Sequence, residues 1–283
     1  MSRVDLALPF PLRTERRTGA AKRPHVALST IPAGLLAAFL VLPLLGLLMR
    51  AGSTQSLIVA AQRPIVLDAL RLSLISTGVV LVVAVGLGSP LALLLARQKF
   101  PGIGLLDSLV DLPIVLPPAV AGLALLLTFG RRGLLGTPLD AFGIQLPFTT
   151  VAVVLASLFV AAPFYVRAAR SGFLAVPREL EEAARVEGAT EWQVFRFVTA
   201  PVAAPALFGG AVLCWSRALG EFGATIMFAG QFPGRTQTMP LAIYAALESD
   251  TDAALSLSIL LLAISLTLLI ISRRWLGRAT DTL

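Results

Sequence analysis

The sequence is poor in charge, cysteine and histidine. Only 14% of its 283 residues are charged and 57% are hydrophobic, with a mean hydropathy of +0.85, whereas soluble domains carry roughly 25% charged residues. This composition excludes an ordinary soluble domain and predicts a membrane protein. The single cysteine, Cys214, has no partner for an intrachain disulfide. The single histidine, His25, does not predict a metal site, and we expect neither metal nor cofactor.

Motifs for nucleotide hydrolysis and catalysis are also missing. The chain has no Gly-x-x-x-x-Gly-Lys-Ser/Thr phosphate loop, so it cannot use ATP by that route. It shows no His/Asp/Glu cluster and no nucleophile constellation. We therefore predict that it is not an enzyme and has no catalytic residues. The net charge of +7 does not indicate nucleic acid as a partner, because the basic residues flank apolar runs, as they do beside lipid headgroups.

Six apolar segments are each near or above the ~20 residues that cross a bilayer as a helix. They cover about residues 31–49, 70–96, 105–129, 148–166, 198–228 and 254–272. No Ala-x-Ala cleavage site follows the first segment, so we interpret it as a retained helix rather than a signal peptide. We divide the chain into a basic cytoplasmic tail (1–26), a first transmembrane helix with an outer loop (27–63), a transmembrane domain (64–275) and a cytoplasmic C-terminus (276–283).

The distribution of basic residues predicts the orientation. If the N-terminus is cytoplasmic, 16 of the 23 Lys and Arg residues fall in the tail and the cytoplasmic connections. The positive-inside rule then places both termini, and the connection at residues 177–201, in the cytoplasm. Arg131 and Arg132 oppose this trend in a predicted outer turn. We expect a multi-pass protein of the cytoplasmic (inner) membrane.

Residues 177–201 form a charged, amphipathic connection between two apolar segments. Pro177 suits a first helical position, and Gly188 suits a left-handed C-cap. Thr190 with Gln193 predicts a capping box for a second helix, which Pro201 either ends or passes on to the next span. We predict two short helices joined at a glycine. One face of the first helix is small and smooth: Leu180, Ala183 and Ala184.

This connection resembles the EAA loop of ABC importer permeases. The family pattern is Glu-Ala-Ala, three residues, Gly, nine residues and Ile-x-Leu-Pro, and this sequence has Val198 and Ala200 at the Ile and Leu positions. The resemblance implies an all-α membrane protein with the type I ABC importer permease fold, in which the loop is a coupling helix that docks on a separate ATPase. The alternative is an ordinary amphipathic loop. The coupling role falls on Glu182, Ala183, Ala184, Gly188, Trp192 and Phe195.

Two of the spans are interrupted by helix-breaking residues. Gly86, Gly88 and Pro90 predict a kink or a close-packing point in the second span. The third span opens with acidic residues and carries Pro113, Pro117 and Pro118, so its first half cannot be a straight helix. Such a break suits either a helix that reshapes during transport or a kinked packing helix. Pro117 is a candidate residue of a pathway or gate.

The fifth span holds two ionisable residues, Arg217 and Glu221, one turn apart. Charges inside a span are costly and face a bundle interior or water. Arg217, with Ser216 and Thr225, either lines an anion route, or pairs with Glu221 and fixes the packing. We favour the structural pair. The pathway candidates are Pro117, Ser216, Arg217, Glu221 and Thr225.

The segments at residues 116–122, 218–228 and 229–244 resemble molybdate importer permeases, and the resemblance covers about residues 64–275. Sulfate/thiosulfate permeases share much of the pattern, and tungstate is nearly the same dianion, so both remain alternatives. The resemblance implies a homodimeric pore in the bilayer, an ABC ATPase subunit dimer and an extracytoplasmic oxyanion-binding protein. A self-sufficient secondary anion carrier is the alternative of another class; it predicts inverted repeats, and the two halves show no convincing repeat.

Overall fold

The computed structural model describes residues 24–50 and 62–280, and within them every regular element is a helix. The predicted basic tail up to residue 23, part of the first outer loop (51–61) and the last residues (281–283) lie outside this part. The α-helices are α1 Pro24–Met49, α2 Pro64–Arg97, α3 Ile103–Val115, α4 Pro118–Phe129, α5 Gly136–Ala141, α6 Thr150–Ala175, α7 Arg178–Val186, α8 Glu191–Val194, α9 Ala200–Leu219, α10 Gly223–Ala229, α11 Met239–Ser249 and α12 Thr251–Thr280.

The chain divides into two units, and α1 belongs almost entirely to the first. Its apolar stretch Thr30–Met49 is long enough to cross a bilayer, and none of it is buried within the protein. In the second unit, α2, α6 and α12 also qualify as spans, as does the continuous helix Glu191–Leu219. Five helices can therefore cross the membrane among the described residues, or six if the bent pair α3–α4 counts as one.

The core of the second unit forms where α6 packs along both α2 and α9. Small residues permit this close approach, which in membranes supplies much of the helix–helix packing energy. A Cβ at Gly88 of α2 would lie 2.9 Å from the Tyr165 ring, and one at Gly210 of α9 would lie 2.7 Å from Ala168 Cβ. Nothing lies within 4 Å of the same position at Gly86. The sequence predicted either a kink or a close-packing point in the second span. Gly88 is a close-packing point.

The third predicted span is broken, as its prolines indicated. α3 and α4 meet at an angle of 117° across Leu116 and Pro117. A residue before proline avoids the helical region, and Pro118 fits the first position of a helix, so the tandem prolines end one helix and start the next. α3 itself tolerates Pro113 near its end.

The fifth predicted span, by contrast, is not one helix through residue 228. α9 ends at Leu219, Gly220 is its C-cap, and α10 starts again at Gly223. The predicted span was too long because apolar residues resume after the break, whereas the helix ends and restarts at Gly220 and Gly223, which allow a bend.

The predicted outer loop at residues 229–244 also contains more regular structure than its turn residues suggested. α11 begins inside it at Met239, with Pro240 in its first turn. The Met239 N–H donates to Ser73 Oγ of α2 over 2.8 Å, and both residues are buried. A tertiary contact therefore fixes the start of this helix.

Candidate functional site

Residues 177–199, which we call the helical loop, contain α7, a glycine turn, α8 and a π-helical turn at Phe195–Thr199. Gly188 has φ +90°, as the predicted left-handed cap requires. Its N–H donates to the Arg185 carbonyl over 3.0 Å, and the Ala189 N–H donates to the Ala184 carbonyl over 3.0 Å. These two bonds form a Schellman motif, so α7 ends at a defined point.

The second half of the helical loop is also locally determined. The Thr190 N–H donates to Gln193 Oε1 over 2.8 Å and the Thr190 hydroxyl accepts from the Gln193 N–H, which completes the predicted capping box. Arg185 donates two hydrogen bonds to Glu191 across the glycine turn, at 2.7 and 3.1 Å. The Glu191 carboxylate raises the pKa of Arg185 above its usual value by accepting these bonds. Pro201 lies in the first turn of α9, which follows the π-helical turn without interruption, so of the two predicted alternatives it opens the next span.

Four of the six candidate coupling residues are exposed on the helical loop, and two are half-buried. Glu182, Ala183, Gly188 and Trp192 are exposed, and Ala184 and Phe195 are half-buried. Trp192 is 64% exposed and stacks on Phe195 at 5.7 Å between ring centroids. Phe195 in turn packs against the buried Phe173 of α6, with 6.3 Å between the ring centroids. An aromatic row thus leads from the surface of the loop into the helix core.

Glu181, which our sequence reasoning passed over in favour of Glu182, is the buried acid of the loop. It is 6% exposed and accepts from Arg97 Nη2 over 2.8 Å and from Thr199 Oγ1 over 2.7 Å. Arg97 is the last residue of α2 and lies 84 positions away in sequence. No local pattern indicates a partner at that distance, which explains why it was missed.

The candidate pathway residues lie around the break between α9 and α10. Arg217 Nη1 and Glu221 Oε2 are 2.7 Å apart, and Glu221 Oε1 accepts from the Ala224 N–H over 2.7 Å. The predicted pair therefore forms, and its carboxylate also caps α10. Ser216 is exposed, whereas Thr225 is fully buried and its hydroxyl has no hydrogen-bond partner among the described residues.

The α9–α10 break meets the α3–α4 break. A Cβ at Gly223 would lie 2.7 Å from Pro118 Cβ, and one at Gly122 would lie 2.7 Å from both the Ala224 carbonyl oxygen and Met227 Cβ. These contacts bring Pro117, which is exposed and adjacent to Pro118, to the same junction. Only glycine lets the backbones of α4 and α10 approach so closely.

A second ionic cluster, also missed from sequence, ties α3 to α6. Arg167 donates to Asp107 over 2.6 Å and to both carboxylate oxygens of Asp111, and Arg170 donates to Asp107 over 3.0 Å. The acids are four positions apart and the arginines three, so each pair faces one way along its helix. This spacing was the feature of the sequence that could have indicated the ionic cluster. Within the described residues no three His, Cys, Asp or Glu side chains form a metal-binding group.

The chain has relatives among known proteins. The family described as "Binding-protein-dependent transport system inner membrane component" matches residues 88–282. The chain is 42% identical over 214 residues to the molybdenum transport system permease protein ModB of Escherichia coli K12, covering 75% of this chain and 93% of that protein. It is 35% identical over 231 residues to the molybdate/tungstate transport system permease protein WtpB of Thermococcus kodakarensis. That match covers 82% of this chain and 87% of the relative.

The fold agrees with a solved structure. A bacterial ABC transporter involved in the import of the acidic polysaccharide alginate superposes with a TM-score of 0.75 at 17% identity, covering 90% of this chain and 95% of that one. At this identity the likeness shows the fold alone, and that fold is the importer permease fold predicted above. From the family match and the relatives, the chain belongs to the inner-membrane components of binding-protein-dependent transport systems.

Proposed function

We propose that this protein is the permease subunit of an ABC importer that moves molybdate into the cell with ATP hydrolysed by a separate subunit. The observation that carries the proposal is the 42% identity to a molybdenum permease over 93% of that relative's length. The family match at residues 88–282 includes both helix breaks and the helical loop. Tungstate is the second candidate substrate, because a molybdate/tungstate permease is 35% identical over 82% of this chain.

The exposed face of the helical loop is the surface that we assign to the ATPase. Its small residues, Ala183 and Ala184, allow a close fit, and the exposed Trp192 adds an apolar anchor of the kind enriched in interfaces. The Schellman turn and the capping box fix the two helices relative to each other, so the loop can move as one piece. Two copies of the chain would receive an ATPase dimer on one side and a binding protein on the other.

The orientation follows from the same assignment. An ATPase works where ATP is, so the helical loop and both termini face the cytoplasm. The excess of basic residues on that side supports this orientation independently. The binding protein then meets the opposite face, which includes the connections at residues 130–149 and 230–238.

The junction of the two helix breaks is the part that we expect to move during transport. Broken helices in membranes are tolerated where they contact protein or a wet cavity, and such segments change shape at low cost. Ser216, Thr225 and Pro117 lie around this junction. Arg217 is neutralised by Glu221, so we assign that pair to holding the break and not to binding the anion.

Reconstitution tests this function. The chain would be placed in vesicles with its ATPase and binding protein, and uptake of labelled molybdate, tungstate and sulfate would be measured with and without ATP. We expect ATP-dependent uptake of molybdate, with tungstate competing and sulfate far weaker. Uptake by the permease alone would instead show a secondary carrier, and uptake of sulfate in preference would reassign the substrate.

A matched pair of variants tests the coupling surface. Gly188→Asp places a negative charge beside the negative end of α7 and should abolish ATP-driven uptake. Gly188→Asn is nearly the same size, carries no charge and tolerates the left-handed backbone, so it should retain most of the uptake. Full uptake by Gly188→Asp would contradict the coupling role of the loop.

A further inference from the structure

Glu181 is a buried acid on a helix whose other acidic residues face outward. Its carboxylate is bonded to the guanidinium of Arg97 and to the hydroxyl of Thr199, and the side chains of Arg97 and Glu181 are 16% and 9% exposed. Burying an ion pair is costly and is at best weak evidence of stabilisation. Stability alone therefore does not explain why the protein has a buried ion pair at the edge of its helix bundle.

The surroundings of Glu181 show what the pair connects. A cleft of about 570 Å³ separates α7 from the end of α2, and its walls include Leu94, Arg178 and Phe195. The Arg97–Glu181 bond spans this cleft at 2.8 Å, and Arg97 Nη2 also donates to the Val176 carbonyl, just before α7, over 3.4 Å. The second bond of the same carboxylate reaches Thr199, the last residue of the π-helical turn that leads into α9. One side chain of the loop thus holds both α2 and α9.

α2 and α9 are joined again, near the end of α9 and in the middle part of α2. Trp215 Nε1 of α9 donates to Thr77 Oγ1 of α2 over 2.9 Å. Trp215 lies two residues before Arg217, which pairs with Glu221 beside the α9–α10 break. The two helices are therefore tied at Glu181 on one side and at Trp215 on the other, with the junction of the broken helices next to the second tie.

We infer that Glu181 is the positioning residue that transmits displacement of the helical loop to α2 and α9, and so to the junction of the two helix breaks. When a partner moves α7, the Arg97 bond pulls the end of α2 and the Thr199 bond pulls the start of α9, so that both helices move together. The inference rests on the proposed function, since it assumes that an ATPase acts on the loop. The inference goes beyond the proposed function because it names the contact that transmits the movement of the loop to the transmembrane helices.

The test compares Glu181→Gln with Glu179→Gln in the complete reconstituted transporter. Glutamine keeps the size, and its amide oxygen can still accept from Thr199, but it lacks the negative charge that makes the contact with Arg97 an ion pair. Glu179 lies in the same first turn and is exposed, so it serves as the control. We expect Glu181→Gln to hydrolyse ATP near the normal rate while molybdate uptake per ATP falls about tenfold, the factor expected for losing one charge-assisted hydrogen bond.

The reciprocal variant sharpens the result. Arg97→Met should lower uptake per ATP to a similar extent, and the double variant should be no worse than either single one, because both remove the same contact. A purely structural role would lower ATP hydrolysis and uptake together. An unchanged ratio of uptake to hydrolysis in Glu181→Gln would overturn the inference.

Two further outcomes also distinguish failure of the inference from failure of the proposed function. If Glu181→Gln does not assemble with the ATPase, Thr199→Val replaces it, because that change leaves the Arg97 pair in place and removes only the bond to α9. We then expect a partial loss of uptake per ATP, and a normal ratio overturns the inference. If the unmodified transporter shows no ATP-dependent uptake at all, the proposed function fails, a result distinct from a normal ratio in the variants.

Discussion

Two glutamates are buried among the residues that the structure describes, and they differ in where their partners come from. Glu221 is bonded within its own stretch of chain, to Arg217 four positions before it and to the Ala224 N–H three positions after it. Glu181 is bonded to Thr199, 18 positions away, and to Arg97, 84 positions away. The first stabilises a break in one segment, whereas the second joins separate helices.

The comparison shows that burial alone does not reveal what a carboxylate does. A local partner is present as soon as the helix forms, so the Arg217–Glu221 pair can fix the end of α9 without help from other elements. A distant partner is present only when the bundle has assembled, so the Arg97–Glu181 pair reports on the arrangement of helices and can respond to its change. The following predictions test this distinction.

Glu221→Ala should have the largest effect on stability. It removes the cap of α10 and leaves Arg217 without its partner in a membrane span, and removing one member of a buried pair costs about 3 kcal/mol. Glu221→Gln, which can still accept from the Ala224 N–H, should cost about 2 kcal/mol, since the retained cap is worth ~1 kcal/mol. The measurement is the midpoint of thermal unfolding in detergent.

The double variant Arg217→Met with Glu221→Gln checks the cause of that loss. Removing both charges while keeping the cap should restore most of the stability, because replacing a whole ion pair by apolar groups is often neutral. A double variant as unstable as Glu221→Ala would show that the pair is not the source.

Arg167→Met tests a long-range ionic contact that has no proposed role in coupling. Arg167 bonds both Asp107 and Asp111, and its side chain is 26% exposed, so we expect a loss of roughly 2 kcal/mol after allowing for partial screening by solvent. Arg170→Met is the matched control, because Arg170 reaches only Asp107 and should cost less. Equal unfolding midpoints for the two variants would contradict this ranking.

Gly188→Ala tests the local determinants of the loop that carries Glu181. An alanine must adopt φ near +90° there, which costs about 1 kcal/mol. Gly86→Ala is the control, since nothing lies within 4 Å of the added Cβ and its backbone is helical. It should leave unfolding unchanged or slightly stabilised. Hydrogen exchange of the loop amides would show whether the Gly188 effect stays local, as we expect.

Asp250 has one partner close in sequence and one distant partner, and its substitution should have the smallest effect on stability. Its carboxylate accepts from the Ala253 N–H, three positions on, and from Arg63, 187 positions away. These bonds hold the pKa of Asp250 below its ordinary value, the backbone bond contributing most. A carboxylate with a lowered folded pKa stabilises the protein above its unfolded pKa, and that contribution disappears as the pH falls through the folded value.

Asp250→Asn should therefore lower the unfolding midpoint slightly at neutral pH and not at a pH below the folded pKa. Arg63→Met should remove less of the pH dependence than Asp250→Asn, because the local bond remains. A pH dependence that vanished entirely in Arg63→Met would reverse the assignment and make the distant partner the important one.

Much of the local structure was predictable because its causes lie within a few residues. The Gly188 cap, the Thr190–Gln193 box, the proline break near Pro117 and the Arg217–Glu221 pair all depend on neighbours in sequence. The end of α9 also has local signals, since Gly220, Glu221 and Gly223 interrupt the apolar sequence there. Pro240 likewise fits the first turn of α11, but the bond from Met239 to Ser73 of α2 has no local signal.

The sequence by itself determined that this is a membrane protein, where its apolar segments lie, and how the helical loop folds. Hydropathy and capping act over one segment at a time, so they can be read without knowing the rest of the chain. Only the tertiary structure decided that Glu181 rather than Glu182 is the buried acid, that Arg167 meets two aspartates, and that the two broken helices touch at Gly223. These depend on contacts between residues tens of positions apart, and such contacts exist only after the helices have packed.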